Sequence, residues 1–378
     1  MMGKSPPAAG SRTNQAKPFY SQADLKLVLI TRKWAPAVGG METWSLNVAN
    51  ALDEQASTSV ISLPGRENGM PPSALALLLF PLTVLRRYLG MDRKPDSIVL
   101  GDMAIWPIGV LLKLFGFRGT LLIAAHGTDT SYHRRPGLKA KLYGIYQRIG
   151  SRMMRQTIVF ANSRATADVL KETGWTASKI IPLATLLLGD HQSIPDERAA
   201  IELLFAGRLV ERKGCAWFVK HVIDRLPDDT VLKIAGTGWD VSEAWVSEHP
   251  QVEYLGALDR PALDRAYANA DCVIMPNIET SRKDFEGFGL IALEAAAAGG
   301  IVIAADHSGL RDAVIDGETG FHVASGDAEA WARKILEIHK WDRQNRQDFI
   351  AKSRASIALH FSWETVARRI INLTKDCR

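Results

Sequence analysis

The stretch Asp284-Phe-Glu-Gly-Phe-Gly-Leu-Ile-Ala-Leu-Glu-Ala-Ala-Ala-Ala-Gly-Gly300 decides how this chain is read. A glycine-broken loop runs into an apolar, alanine-rich helix, and two carboxylates, Glu286 and Glu294, stand eight residues apart. That interval is close to two helical turns. A helix beginning near Gly287 would set both carboxylates on nearly one line, Glu286 at its mouth and Glu294 two turns in. Backbone N–H groups at a helix start attract anions, and glycines let a ligand approach the backbone. Taken alone, the stretch reads equally well as a core helix with a solvated Glu at each end; its neighbours separate the two readings.

Working outward through the second half, Glu202–Ala206 reads as a buried strand and delivers Gly207-Arg208-Leu-Val-Glu-Arg212-Lys213-Gly214. An Arg-Lys pair in a loop is ordinarily solvated charge. Here the flanking glycines and the place between strand and helix favour a phosphate clamp. A further strand, Val231–Ala235, ends in Gly236-Thr-Gly238. Strands at 252–255, 272–275 and 301–304 alternate with helices at 261–270, 327–339 and 342–360, and a last helix follows Ser362.

The first half repeats the plan. Leu25–Ile30 is a strand, and its loop ends in Gly39-Gly40 before a helix with Trp44, Val48 and Leu52 on one face. These glycines do not match G-x-G-x-x-G, so no dinucleotide is indicated, although paired glycines at a helix mouth suit phosphate as well as a plain turn. The strand 120–125 delivers His126-Gly127-Thr128-Asp129, the place where parallel sheets bind ligands. An apolar segment at 73–90, interrupted by Pro81, is expected to be buried, with membrane-surface contact as the minority reading. A helix over 137–154 carries Lys139, Lys141, Arg148 and Arg152, with Leu138, Leu142 and Ile145 expected to pack beneath them. Its basic surface reads as a solvated face or as an attraction to anionic membrane.

Composition is that of an ordinary globular chain of two domains, with 47% hydrophobic and 23% charged residues. The net charge of +5 hides an asymmetry. Residues 1–185 hold 23 Lys and Arg against 11 Asp and Glu, a net of +12, and the remainder holds 23 against 30, a net of −7. A basic first half suits an anionic partner; no nucleic-acid module is present, so anionic lipid or a phosphorylated acceptor is expected rather than nucleic acid. The three cysteines show no metal-ligand spacing. Residues 1–22 read as a disordered tail without the apolar run of a signal peptide, and no segment reads as a transmembrane helix.

In this order, Gly39-Gly40, His126-Gly127, Gly207-Arg208…Lys213-Gly214, Glu286-x7-Glu294 and Phe361-Ser-Trp363-Glu resemble the retaining nucleotide-sugar glycosyltransferases of family four. The resemblance spans about residues 25–370 and implies a GT-B fold: two Rossmann-like α/β domains with parallel sheets facing a cleft. The first, 23–185, would bind the acceptor and the second, 186–361, the nucleotide sugar, with a final helix at 362–378 crossing back.

The resemblance also implies roles. Arg208 and Lys213 would hold the donor diphosphate. Glu286, with the backbone at Gly287, Phe288, Gly289 and Leu290, would bind the donor sugar, and Glu294 the ribose. His126 would sit by the reacting sugar, and Gly39, Gly40 and Gly236 would let backbone approach the donor. No D-x-D motif is present, and neither metal nor other cofactor is expected. The implied reaction is transfer of a hexose, foremost mannose from GDP-mannose, to a lipid-linked saccharide at the inner face of the cell membrane. UDP-glucose or UDP-N-acetylglucosamine dependent transfer, a nucleotide-sugar epimerase, and an inactive sugar-nucleotide-binding protein at the membrane surface are the alternatives.

Overall fold

A computed structural model describes residues 25–37, 39–187, 200–238, 240–280 and 284–375; the expected tail and residues 188–199 of the expected linker lie outside them. The first half builds one parallel sheet from β1 (Lys26–Thr31), β2 (Ser57–Ser62), β3 (Ser97–Leu100), β4 (Thr120–Ala125), β5 (Ile158–Ala161) and β6 (Lys179–Ile180), in the order β2-β1-β3-β4-β5-β6. Its helices are α1 (Gly40–Asp53), α2 (Ala74–Leu89), α3 (Trp106–Leu114), α4 (Gly127–Ser131), α5 (Leu138–Met153) and α6 (Arg164–Lys171). Successive strand residues point to opposite faces, which divides the core in two. Val28, Ile30, Ile98, Leu100, Leu121 and Ile123 pack under α2 and α3, whereas Leu27, Leu29, Val99, Leu122 and Ala124 pack under α1.

The second half forms a sheet of β7 (Glu202–Ala206), β8 (Val231–Ala235), β9 (Val252–Gly256), β10 (Cys272–Met275), β11 (Val302–Ala305) and β12 (Phe321–Val323), ordered β12-β11-β10-β7-β8-β9, again parallel throughout. Around it lie α7 (Cys215–His221), α8 (Arg260–Asn269), α9 (Leu290–Ala297), α10 (Leu310–Ala313), α11 (Ala328–His339) and α12 (Arg343–His360). The last helix, α13 (Trp363–Lys375), starts where Ser362 Oγ accepts the Thr365 N–H and then crosses to the first sheet. There Trp363, Val366, Ala367, Ile370 and Ile371 join the core under α1, as expected.

Three expectations fail. First, α9 begins at Leu290, three residues later than the motif suggested, because Gly289 takes the left-handed conformation at φ 100° and holds the preceding loop off the helix axis. Glu294 therefore sits little more than one turn in, and Glu286 does not share a helical line with it. Second, Pro81 does not interrupt α2, and that helix buries only Phe80, Val84 and Tyr88, leaving Leu75, Leu78, Leu79, Leu82 and Leu89 exposed.

Third, α5 is turned the other way round from the expected packing. Its buried positions are Ala140, Gly144, Gln147 and Gly150, while Leu138, Leu142 and Ile145 face outward. The reason is room. Gly150 lies against the Trp106 ring, where an added Cβ would stand 2.8 Å away, so no side chain fits on the inner side at that turn.

Candidate active site in the cleft

In an open parallel sheet, ligands bind beyond the carboxyl ends of the strands where the strand order reverses. That point lies between β1 and β3 in the first sheet and between β7 and β10 in the second. The loops leaving these strands meet around a cleft cavity of about 380 Å³. The first half lines it with Lys33, Gly40, Glu42, His126, Gly127, Arg135 and Asn162; the second contributes Arg208, Arg212, Glu286 and the backbone through Leu290.

Glu286 is the electrostatic centre. Its Oε2 lies 2.5 Å from Lys213 Nζ and accepts from Arg212 Nη1 at 2.6 Å, with its side chain 14% exposed. Burial alone pushes its carboxyl up, but Lys213 and Arg212 outweigh it and hold the group down at about 2. Lys213 is buried; desolvation lowers its pKa and Glu286 opposes that shift. Of the two cations expected to clamp phosphate, Arg208 lines the cavity, whereas Lys213 lies behind Glu286. Arg212, given no role from sequence, lines the cavity. Its signal was available: it stands beside Lys213 in the same glycine-bounded loop.

Across the cleft, His126 follows β4 directly, with its ring buried edge-on against Trp44 at 4.8 Å between centroids. Its Nε2 lies 3.2 Å from the Gly101 carbonyl, which can only accept, so Nε2 carries the proton and Nδ1 is the acceptor, turned to the Asp129 N–H in the capping box that opens α4. Desolvation lowers its pKa to about 4, against the opposing charge of Asp102, so the ring is neutral at physiological pH. The His126 N–H donates to Asp129 Oδ1 and the Met103 N–H to Asp129 Oδ2, which fixes the short helix α4 beneath the cleft.

The expected glycines divide by role. Gly40 lines the cavity, and Gly39 sits so close to Glu42 that an added Cβ would stand 2.5 Å from Oε2. Glu42 in turn pairs with Lys33 at 3.2 Å. Sequence reasoning singled out neither residue, because Lys33 and Glu42 stand on either side of the glycine pair that drew the reading. Gly236 packs on the Gly207 carbonyl, 1.9 Å from where its Cβ would lie, and is not among the lining residues. Phe288 is buried against Phe361, leaving its backbone to the cleft. The Gly287 carbonyl accepts from Ser163 Oγ at 2.6 Å and Thr166 Oγ1 at 3.2 Å, joining the two halves directly. Arg164 and Asp312 join them again at 2.8 Å.

Glu294 does not line the cavity; its Oε1 accepts from Arg260 Nη1 at 3.0 Å. Burial raises its pKa, opposed by Arg260. Asn162 is a further residue that sequence reasoning did not single out. Ser163 caps α6, but Asn162 lines the cavity, and its buried Oδ1 has no protein partner.

Two Rossmann-like sheets facing one cleft, with the last helix returned to the first, define the GT-B fold of glycosyltransferases. Residues 200–340 match the family model described as glycosyl transferases group 1. The chain is 32% identical over 179 residues to the glycogen synthase of Mycobacterium tuberculosis, covering 44% of this chain but only 40% of that protein. It is 24% identical over 286 residues to the putative colanic acid biosynthesis glycosyltransferase WcaL of Salmonella typhimurium, covering 71% of this chain and 68% of the relative. Among solved structures, sucrose-phosphate synthase from Thermosynechococcus elongatus superposes with a TM-score of 0.67 at 18% identity, over 93% of this chain and 99% of that one.

Proposed function

We propose that this protein is a retaining glycosyltransferase that moves a hexose from a nucleotide sugar to a hydroxyl of a lipid-linked saccharide, in the building of a polysaccharide or glycolipid. The observation that carries the reading is Glu286, held ionised by Arg212 and Lys213 at the mouth of α9, opposite the neutral His126. Support also comes from the group 1 match over the second half and from WcaL, named for a polysaccharide pathway. Mannose from GDP-mannose is the leading donor, and the inner face of an anionic membrane is the proposed place of work.

In this mechanism Arg208 and Arg212 take the donor diphosphate, stabilising the negative charge that grows as the sugar leaves. Lys213 holds Glu286 in place from behind. Glu286 and the backbone N–H groups beyond it fix the sugar hydroxyls, while Glu294, on releasing Arg260, takes the ribose. His126 sits beside the reacting sugar and orients it. The acceptor oxygen attacks C1 on the face from which the phosphate leaves. As the C1–O bond to phosphate breaks and the new C1–O bond forms, the departing phosphate oxygen takes the acceptor proton. Configuration is retained without an enzymatic nucleophile, and neither metal nor other cofactor is called for in this scheme.

The test is a panel of nucleotide sugars read by thermal shift and by donor hydrolysis, since a bound donor stabilises the native state by mass action. A chain that responds to none of them is not this enzyme.

A further inference from the structure

The three helices α2, α3 and α5 cover one face of the first sheet side by side, with α3 packed between the other two. Their outer side inverts the usual arrangement. On α5 the large residues Leu138, Leu142, Ile145, Ile149 and Met153 form one stripe at helical spacing, and all are exposed, Leu138 at 71%. On α2, Leu75, Leu78, Leu79, Leu82 and Leu89 are exposed, Leu78 at 74%. Leu114 and Phe115, at the end of α3, are exposed as well. A soluble surface seldom carries so many large apolar side chains in one place.

Charge says what covers this surface. None of the three helices contains an Asp or Glu, whereas Arg86, Arg87, Lys113, Lys139, Lys141, Arg148 and Arg152 lie on them. Apolar side chains flanked by cations of one sign match the boundary of an anionic bilayer, where hydrocarbon meets phosphate. A second copy of the same face would bring like charges together. No helix among the described residues is long and apolar enough to cross a membrane, so contact would lie in the interface plane. A groove of about 260 Å³, lined by Leu77, Phe80, Pro81, Pro107, Ile108 and Tyr146, runs between α2 and α3 to Arg32. Arg32 precedes Lys33, which lines the cleft, so apolar lining reaches to within one residue of the site.

We infer that the outer face of α2, α3 and α5 is a docking surface for an anionic lipid bilayer, which seats the first half with its cleft beside the hydrocarbon boundary. This deepens the proposed function by naming the partner surface that brings a lipid-linked acceptor to the site, and it rests on that reading for its purpose.

The experiment is flotation of the full chain with vesicles of phosphatidylcholine, with and without phosphatidylglycerol, at low and high salt. Wild type floats with the anionic vesicles. Leu142→Asp combined with Ile149→Asp removes two exposed apolar side chains and lowers partitioning about tenfold or more. Lys141→Glu combined with Arg148→Glu abolishes the preference for anionic lipid, at about fivefold for each positive charge removed. Both pairs lie on the outer side of α5, so the unfolding midpoint stays that of wild type.

Wild type left unbound, or an Asp pair that floats as well as wild type, overturns the proposal. So does a wild-type dimer in light scattering that the Asp pair dissociates while neither protein floats, since the face is then a self-interface. Nucleotide-sugar thermal shift is read on the same samples. Flotation without any donor response sinks the enzyme reading alone, and a donor response without flotation sinks this one alone.

Discussion

Gly127 and Gly287 meet backbone to backbone across the cleft: a Cβ on Gly127 would stand 2.6 Å from the Gly287 Cα, and one on Gly287 would stand 2.7 Å from the Gly127 Cα. Any side chain at either position holds the two halves apart, and opening the cleft relieves the clash without disturbing either core. Gly127→Ala and Gly287→Ala should therefore keep a near-native unfolding midpoint. They should lower kcat/KM for transfer by about 10- to 100-fold, the effect of a misplacement near 1 Å. Steady-state kinetics beside calorimetry checks this; unchanged kinetics in both variants would mean that closure at this contact is irrelevant to the reaction.

Glu286→Gln removes the charge that Lys213 and Arg212 face. Transfer should fall by about 10²–10³-fold while nucleotide binding changes little, because the proposed diphosphate contacts are Arg208 and Arg212 instead. Stability should fall too, by about 3 kcal/mol, since Lys213 is left buried without its partner. A carboxyl depressed to about 2 stabilises the native state above the ordinary carboxylate range and loses that contribution as pH falls towards 2. The stability gap between wild type and variant should accordingly narrow in acid, as read from urea midpoints across pH.

His126 gives the opposite kind of titration. Its folded pKa of about 4 lies below the ordinary histidine value, so between about 6.5 and 4 the unfolded chain takes up a proton that the native ring refuses. Stability from this group falls as pH drops through that window, by about 3 kcal/mol in all. Asp129, raised to about 7 by burial and then by Asp102, works against it, because its contribution is present in acid and lost as pH rises through 7. An NMR titration isolates the histidine: the His126 ring signals should stay in place from pH 8 to 5, and a midpoint near 6.5 would refute the neutral assignment.

Asn162 carries a buried Oδ1 that finds no protein partner, a cost that a bound sugar hydroxyl could offset. Asn162→Ala should leave stability unchanged or raised by up to about 1 kcal/mol, and should raise KM or lower kcat about tenfold. A variant that is destabilised and kinetically normal would make Asn162 a structural residue.

Much of this fold was legible because buried parallel strands are short apolar runs closed by glycine or a polar residue. Thr120–Ala125, Glu202–Ala206 and Val231–Ala235 fall where the pattern puts them. The motif loops could be placed at strand ends for the same reason, since glycine and charge mark them there. What sequence could not give was direction. The stripe of Leu138, Leu142 and Ile145 has the right period for one helical face, but period does not say which side meets the sheet. The answer lay with Gly150 and Trp106, an intimate fit that no local pattern encodes. Nor could spacing tell that Lys213 turns behind Glu286 while Arg212, one residue earlier, faces the cavity.

The return of α13 to the first sheet ties the order of synthesis to the order of folding. Leu27 and Leu29 leave the ribosome early, yet the side chains that complete their layer, Val366 and Ile370 among them, come more than 300 residues later. Until then one flank of the first sheet stays bare, with only α1 to cover it, while the second half can close its own core in the interval. A nascent chain thus matures from its middle outward. A stop codon just before Trp363 would harm the half made first more than the half made last.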